Sequence, residues 1–550
     1  MYKLFLCLRY LRSRVIAYFA VLAVALCVAM MLIVISVMDG FLHKVELAAK
    51  GLFGDIVVES NTLAGLSRYD EFIQDITQGP NKIPDVEAAS PYISTYGIIS
   101  VPGNDYRQAV QVAGIRLPER TKVSNFSKGL FAQKDFENPT FDPSTKLMLQ
   151  RIDEDTNRLE EMLKAARDPQ SKLHQYLGAI KSSLIHHRNA RWRIEHLEKN
   201  AENIKALETR LEAARDAGEG DTIIKSLEDE LADLRHNQIL PPDQRVILGI
   251  GIPSLSIRPE GQTIRMMVPS QQIAITLFPL GRRSITNIQP IIKPLTVVDD
   301  SRTDVYSIDS TTIYVPFETL QKLTDMDAGR DDKGEIVSPA RCSAIHIKVR
   351  DGITDEARLA AICKQVQDRW DNFIYTHPDA ASSSMSIKTW RQRQADFISN
   401  IANQRTLVVI MFAVISLVAV VLVFVLFYTI VMQKTKDIGV VKALGGSSPG
   451  VAGIFLTYGA AIGFVGSIVG VIGGYFFVKN INAIHTWVGN TFGTEFFRKE
   501  YFMFETIPNE VQPTAIVLIV AAAILAGVVG SLLPAYLASR MQPVEALRYE

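Results

Sequence analysis

Nothing in the charge balance of this 550-residue chain points to a nucleic-acid partner: 58 lysines and arginines meet 58 aspartates and glutamates, for a net charge of zero. Four cysteines are too few for a disulfide scaffold, and the absence of any C-x-x-C excludes a zinc ribbon or a thioredoxin-type site. No G-x-x-x-x-G-K-[ST] occurs. The run Gly445-Gly446-Ser447-Ser448-Pro449-Gly450 has no lysine to reach a nucleotide's phosphates, so the chain does not hydrolyse ATP by that route. H-E-x-x-H is missing too. Gly446 to Gly450 spells G-x-S-x-G, but without a strand before it this reads as a helix-ending turn, not a nucleophile elbow. These absences leave no catalytic residue and no metal ligand to nominate.

What is present is apolar. Hydrophobic residues make up 48% of a chain that is also 21% charged, so the two properties are segregated along it, as in a membrane protein with a large aqueous domain. About 20 helical residues cross roughly 30 Å of hydrocarbon. Four stretches qualify as spans: 15–37, 406–432, 451–478 and 513–538. The first follows Lys3, Arg9, Arg12 and Arg14 but is too long for a signal h-region, and Ser36-Val37-Met38-Asp39 is a poor cleavage site, so it reads as a retained anchor.

Lysine and arginine set the orientation. The tail 1–14, the loop 433–450 with Lys434, Lys436 and Lys442, and the tail 539–550 with Arg540 and Arg548 belong in the cytoplasm. The loop 479–512, where Lys479, Arg498 and Lys499 are offset by Glu495, Glu500, Glu505 and Glu510, belongs outside, and so does the single domain 38–405. Within the third span Gly459, Gly463, Gly466, Gly470 and Gly474 share a helix face, a packing seam where another helix can approach closely. No span carries an acidic or basic residue to mark an ion or proton path.

The extracytoplasmic domain reads as α+β. Strand-like runs such as Asp55 to Glu59 and Ala109 to Ile115 recur at Arg245 to Gly249, Leu295 to Val298, Thr311 to Pro316 and Ser343 to Val349, with helices at Phe317 to Leu323 and Asp355 to Gln367. Residues 143–236 interrupt it with a charged, helical insertion. Leu197, Ile204 and Leu211, and then Ile224, Leu227, Leu231 and Leu234, carry coiled-coil spacing. Breaks at Asp168-Pro169 and Gly218-Glu219-Gly220 imply helices of about 23, 44 and 16 residues, roughly 34, 66 and 24 Å long. The long one can pair antiparallel with the two short ones, which makes the insertion separable from the strand module, its charges being a solvated face. His186-His187 reads as a surface pair, since adjacent helical positions diverge by about 100°. For Cys342 and Cys363 a disulfide and two buried thiols both remain open.

Lys434 to Gly445 forms a short helix between two spans. Ile438, Val441 and Leu444 give an apolar stripe with Ala443 beside it, Lys436, Asp437 and Lys442 give polar edges, and Gly445-Gly446 ends the helix. The pattern basic-x-x-[ED]-I-[GA]-[VI]-[LV]-[KR]-[AT]-[LM]-G, here with Gly439 in its small position, resembles the coupling helix of the MacB/FtsX/LolC-LolE permease superfamily. Leu8 to Arg14 followed by Ile35 to Phe41, the stretch Asp309 to Pro316, and Met541 to Glu550 are similar to the opening, a periplasmic strand and the tail of lipoprotein-releasing permeases.

The resemblance implies a mechanotransmission permease of the bacterial inner membrane. Its partners would be cytoplasmic ABC ATPase subunits that hold ATP and Mg²⁺ themselves, a second permease subunit, identical or homologous, and a periplasmic carrier or adaptor. The chain itself would hold no cofactor. Release of lipoproteins to the carrier is the first expectation; MacB-like efflux and FtsX-like control of a cell-wall hydrolase are the alternatives. The insertion departs from the lipoprotein-releasing pattern.

Overall fold

The computed structural model describes residues 15–62, 65–103, 105–134, 136–169, 171–218, 220–236, 240–253, 255–257, 262–278, 289–303, 305–330, 336–350, 355–380, 385–492 and 506–542. The expected tail 1–14 with its Leu8 to Arg14 motif, Glu219, residues 493–505 and the end of the chain from Pro543 lie outside the described residues. The chain forms two compact units, one of Leu47–Gln394 and one of the segments up to Glu46 and from Ala395 onward.

Helix α1 (Val15–Phe53) leads into the first strand of a nine-stranded sheet: β1 (Ile56–Ser60), β2 (Val86–Ser100), β3 (Arg107–Ile115), β4 (Arg245–Gly249), β5 (Gln272–Leu277), β6 (Ile291–Ser301), β7 (Thr312–Pro316), β8 (Ala344–Val349) and β9 (Met385–Thr389). They lie in the order β9-β1-β8-β2-β3-β7-β4-β6-β5, and β5 also pairs with β2. Six strands therefore close a circuit, β2-β3-β7-β4-β6-β5, while β9, β1 and β8 extend from the other half of β2. That fifteen-residue strand serves both: Val86 to Tyr92 pairs with β8, and Gly97 to Ser100 with β5.

The strands are rich in β-branched residues, which suit a pleated and buried surface. Ala113, Ile115, Ile247, Val298 and Tyr314 from four of them bury Phe126 and Phe141 of the connecting segment. Beneath the extension, the helices Tyr69–Thr77 and Glu356–Thr376 meet through Phe72 and Trp370, edge to face at 4.7 Å. Cys342 and Cys363 are both buried free thiols, and burial raises the pKa of each.

The insertion forms four helices, α2 (Thr145–Ala166), α3 (Leu177–Glu195), α4 (Leu197–Asp216) and α5 (Asp221–His236). Ser144 caps α2 by accepting from the Leu147 N–H. The expected long helix is broken at His196, whose ring stacks on Trp192 at 4.7 Å while its Nδ1 meets the Trp192 carbonyl at 2.9 Å. Neither glycine nor proline marks that break. The two resulting hairpins differ. Met148, Ile152, Ala190 and Ile194 of α2 and α3 bury Val268, and Leu159, Met162, Ala166 and Ile180 bury Ile264, so this pair is packed into the strand module.

His187 corrects the expected surface pair. It is 1% exposed, and its Nε2 donates to Asp155 at 2.9 Å, because α2 and the Ile264 segment cover that face of α3. Asp155 also receives Arg158 and, at 3.2 Å, Arg265. Burial would raise its pKa, but the His187 hydrogen bond and the two guanidinium charges outweigh burial and hold the carboxyl below its ordinary value. Arg265 in turn pairs with Asp300 and lies 3.6 Å from the Phe131 ring centroid. Next to it the buried Asp299 carboxylate accepts from the N–H groups of Phe131, Ala132 and Gln133 at 3.1, 2.8 and 3.2 Å. Burial, helped by Asp300, nevertheless pushes Asp299 up to about 7.

The outer hairpin is held mainly by its own seam, and it touches the rest through Leu197 beside the Ile194 cluster and the Arg235 carbonyl, which accepts from Gln272 at 2.9 Å. Ile204, Leu211, Ala214, Leu227 and Leu231 of α4 and α5 bury one another, with exposed pairs Arg215–Glu228 and Arg235–Glu208 at its sides.

The second unit is helical: α6 (Ala395–Gln433), α7 (Thr435–Ala443), α8 (Ser448–Lys479) and α9 (Pro513–Arg540), with the first part of α1. Among the described residues four helices, α1, α6, α8 and α9, are long and apolar enough to cross a membrane. Their shared core includes Leu32, Phe427, Tyr458, Ile462 and Ala535.

Candidate functional site

The seam glycines of α8 meet two helices. A Cβ on Gly463 would come within 2.8 Å of the Ala523 carbonyl, and one on Gly459 would strike Gly527 and Ser531, all on α9. Gly466, Gly470 and Gly474 face α1, where a Cβ on Gly470 would stand 2.5 Å from the Ala25 carbonyl. The spacing drifts around the helix, so the upper glycines and the lower ones present to different neighbours.

At one end of this bundle Asp39 of α1, 5% exposed, pairs with Arg405 of α6 at 3.0 Å. The Glu510 N–H donates to the Ser36 carbonyl at 3.1 Å, and a Cβ on Gly40 would meet the Asn509 nitrogen at 2.8 Å. Ser36, Asp39 and Gly40 thus form a joint between α1, α6 and the segment before α9. In the sequence these residues carry a resemblance and a poor cleavage site but no sign of a joint; an acidic residue just past a charge-free span is the signal that could have pointed to it.

At the other end lies α7. Lys434 stands at its N-cap position and pairs with Asp437, while the Thr435 hydroxyl donates to the Met432 carbonyl at 2.9 Å. Its end is set by Gly445 at φ +92°, a left-handed conformation that favours glycine, and by the Gly446 N–H donating to the Val441 carbonyl at 2.9 Å. Ser447 then caps α8 through the Gly450 N–H, with Pro449 in the first turn.

The apolar stripe does not point one way. Ile438 is 6% exposed and packs into the bundle core, and Gly439 is buried, whereas Val440, Val441 and Leu444 are exposed, Leu444 at 83%. Three residues of helix fall about 60° short of a full turn, so two such steps carry Leu444 about 120° away from Ile438. Lys436 and Asp437 flank the exposed side. Lys442 turns inward, and its Nζ donates to the Ser539 and Met541 carbonyls at 2.7 and 2.8 Å. Among the described residues no cluster of His, Cys, Asp or Glu is disposed to hold a metal ion.

The arrangement is a short helix rooted in a bundle of long apolar helices and presenting an exposed apolar patch. Residues 409–543 match the family model described as FtsX-like permease C-terminal, and residues 18–142 match the one described as MacB-like periplasmic core domain. The chain is similar to the lipoprotein-releasing system transmembrane protein LolC of Neisseria meningitidis serogroup B, 23% identical over 325 residues that make up 58% of this chain and 69% of that protein. It is 29% identical to LolC of Xylella fastidiosa over 164 residues, 30% of this chain and 40% of the relative. LolE of Haemophilus influenzae is 24% identical over 117 residues, 21% and 28% of the two chains.

Proposed function

We propose that this chain, an ABC transporter permease of the MacB/FtsX type by its two matched domains, is the membrane subunit of a lipoprotein-releasing machine. Permeases of this family work with a separate ATP-binding subunit and a second permease, and are not ATPases themselves. The observation that carries the reading is α7. An apolar patch of Val440, Val441 and Leu444 between charged Lys436 and Asp437 is suited to a groove on a cytoplasmic ATPase subunit, while Ile438 fixes the helix to the spans.

In this reading α7 and both termini are cytoplasmic, and the nine-stranded unit is outside. Closure of two ATP-loaded subunits pushes α7, and the spans carry the motion outward to the domain that hands lipoprotein to a periplasmic carrier. The names of the similar proteins support lipoproteins as the cargo. The four-helix insertion supports a second reading, MacB-like efflux or FtsX-like control of an envelope enzyme, in which α4 and α5 act as a short antiparallel coiled coil that docks a partner.

The test is co-purification. Burying a large apolar side chain is worth about 1.5–3 kcal/mol, and an aspartate in its place adds a charge with no partner in an apolar groove. Val441→Asp with Leu444→Asp should therefore abolish recovery of the ATP-binding subunit, Val441→Ala with Leu444→Ala should weaken it, and protease protection should show unchanged topology. Acylated protein should be bound by the wild-type complex and released on ATP addition. Undiminished recovery in the double aspartate variant would remove α7 from the interface.

A further inference from the structure

We infer that Lys442 faces the bundle and ties α7 to the end of α9, so that load on α7 reaches the last span directly. This deepens the functional reading above and rests on it for the source of the load. The last carbonyls of any α-helix lack partners within the helix and carry its negative end. At the end of α9 the carbonyls of Ser539 and of Met541, the residue that follows the helix, are bound by one ammonium group, Lys442 Nζ, at 2.7 and 2.8 Å. Lysine suits this role because three rotatable donors on a flexible stem can serve two carbonyls that do not lie in one plane.

The consequence is geometric. The chain joins α7 to α6 through Lys434 and to α8 through Gly445 to Ser447. Covalent connection therefore reaches only those two helices, and Ile438 adds apolar packing against the core. Lys442 adds α9, which nearly 100 residues separate from it in sequence. From α9 the contact continues into the bundle through Gly459 and Gly463 of α8, whose missing side chains admit Ser531, Gly527 and Ala523, and through Gly530, which packs on Val420 and Val423 of α6. An outward face of Val440, Val441 and Leu444 and an inward face of Ile438 and Lys442 divide the labour: the first receives a partner, the second holds the spans. Lys442 is thus a positioning residue and not part of the docking surface.

The test uses the full chain in lipid nanodiscs, its own cysteines replaced by alanine, with spin labels at Ala443→Cys and Arg540→Cys, and recovery of the ATP-binding subunit is measured on the unlabelled chain. Inter-label distances are read alone, with the ATP-binding subunit that co-purifies with the chain, and with ATP and vanadate added. Lys442→Met keeps the length of the side chain and removes the donor. It should broaden the distance distribution, lowering the population of the wild-type peak at least about tenfold, the effect of losing both charged hydrogen bonds, and should blunt the ATP-driven shift, while recovery of the ATP-binding subunit stays at the wild-type level. Lys442→Arg, which retains charge and donors, should restore the peak, which a folding defect at this position would not allow.

An unchanged distribution in Lys442→Met would overturn the tie. Loss of the ATP-binding subunit in Lys442→Met, as in Val441→Asp, would overturn it differently, by placing Lys442 in the docking face. Should the wild-type chain recover no ATP-binding subunit, the functional reading fails, and the distances measured on the chain alone still decide whether Lys442 holds α7 to α9.

Discussion

The two hairpins of the insertion have similar lengths and are both highly charged, yet one is packed into the domain and the other is held mainly by its own seam. On α2 and α3 most charges face solvent, as in Arg151–Glu154 and Arg191–Asp153, but Asp155 and His187 turn inward and lie buried in one network with Arg265 and Asp300 of the strand module. In α4 and α5 the charges are turned outward, and Arg215–Glu228 and Arg235–Glu208 flank a purely apolar seam. Composition therefore says little about where a domain ends; the direction in which the polar residues face decides it.

Excision breaks the comparison most severely. Removal of Lys146 to Asn237 behind a glycine-serine linker should leave an aggregating domain, since it exposes Ile264, Val268 and the Arg265–Asp300 pair, whereas removal of Leu197 to His236 alone should leave a soluble fold with unchanged near-ultraviolet circular dichroism. If both deletions fold equally well, the two hairpins are equivalent and the distinction fails.

Point substitutions sharpen it. Asp155→Ala leaves His187 without its buried carboxylate and Arg265 with Asp300 alone, and should cost about 3–5 kcal/mol in denaturant unfolding of the whole domain. Leu231→Ala, about 2–5 kcal/mol by its lost packing, should instead show itself as faster amide exchange confined to α4 and α5, with the global transition unmoved.

The smallest effect is a pH slope. The Asp299 carboxyl sits at about 7 in the fold against an ordinary 3.8, so the folded state keeps a proton that the unfolded chain has released. Its contribution is complete below about pH 4 and is lost as pH rises through about 7, at most about 4 kcal/mol over that interval. Asp299→Asn should flatten this part of the stability–pH curve for the strand module and its seated hairpin, and exchange within α4 and α5 should be indifferent to it.

Much of this architecture is legible in the sequence, and the losses have physical causes. Charge-free runs and strand alternation report on one segment at a time, which suffices for four apolar helices and an α+β domain. Closure of six strands through β2 depends on pairings across nearly two hundred residues, which no local period records. The i, i+3, i+6 stripe of α7 misleads because its two steps drift by about 120°, enough to turn Leu444 away from the face that Ile438 occupies. His187 misleads because a buried, paired histidine and an exposed one have the same letter, and only the carboxylate arriving from α2 distinguishes them. The α8 glycines announce close packing without naming the helix to be packed against.

The pairing of β1 also dictates an order of events during synthesis. Its two neighbours are β8, from Ala344, and β9, which ends at Thr389. A ribosome must therefore deliver nearly three hundred residues after α1 before the first strand acquires either edge partner, and local loops cannot shorten that wait. Until then Ile56, Val57 and Val58, all wholly buried at the end, stand unpaired just beyond the first apolar helix. That nascent strand is the place where a chaperone, or a mispairing, would be expected to act first.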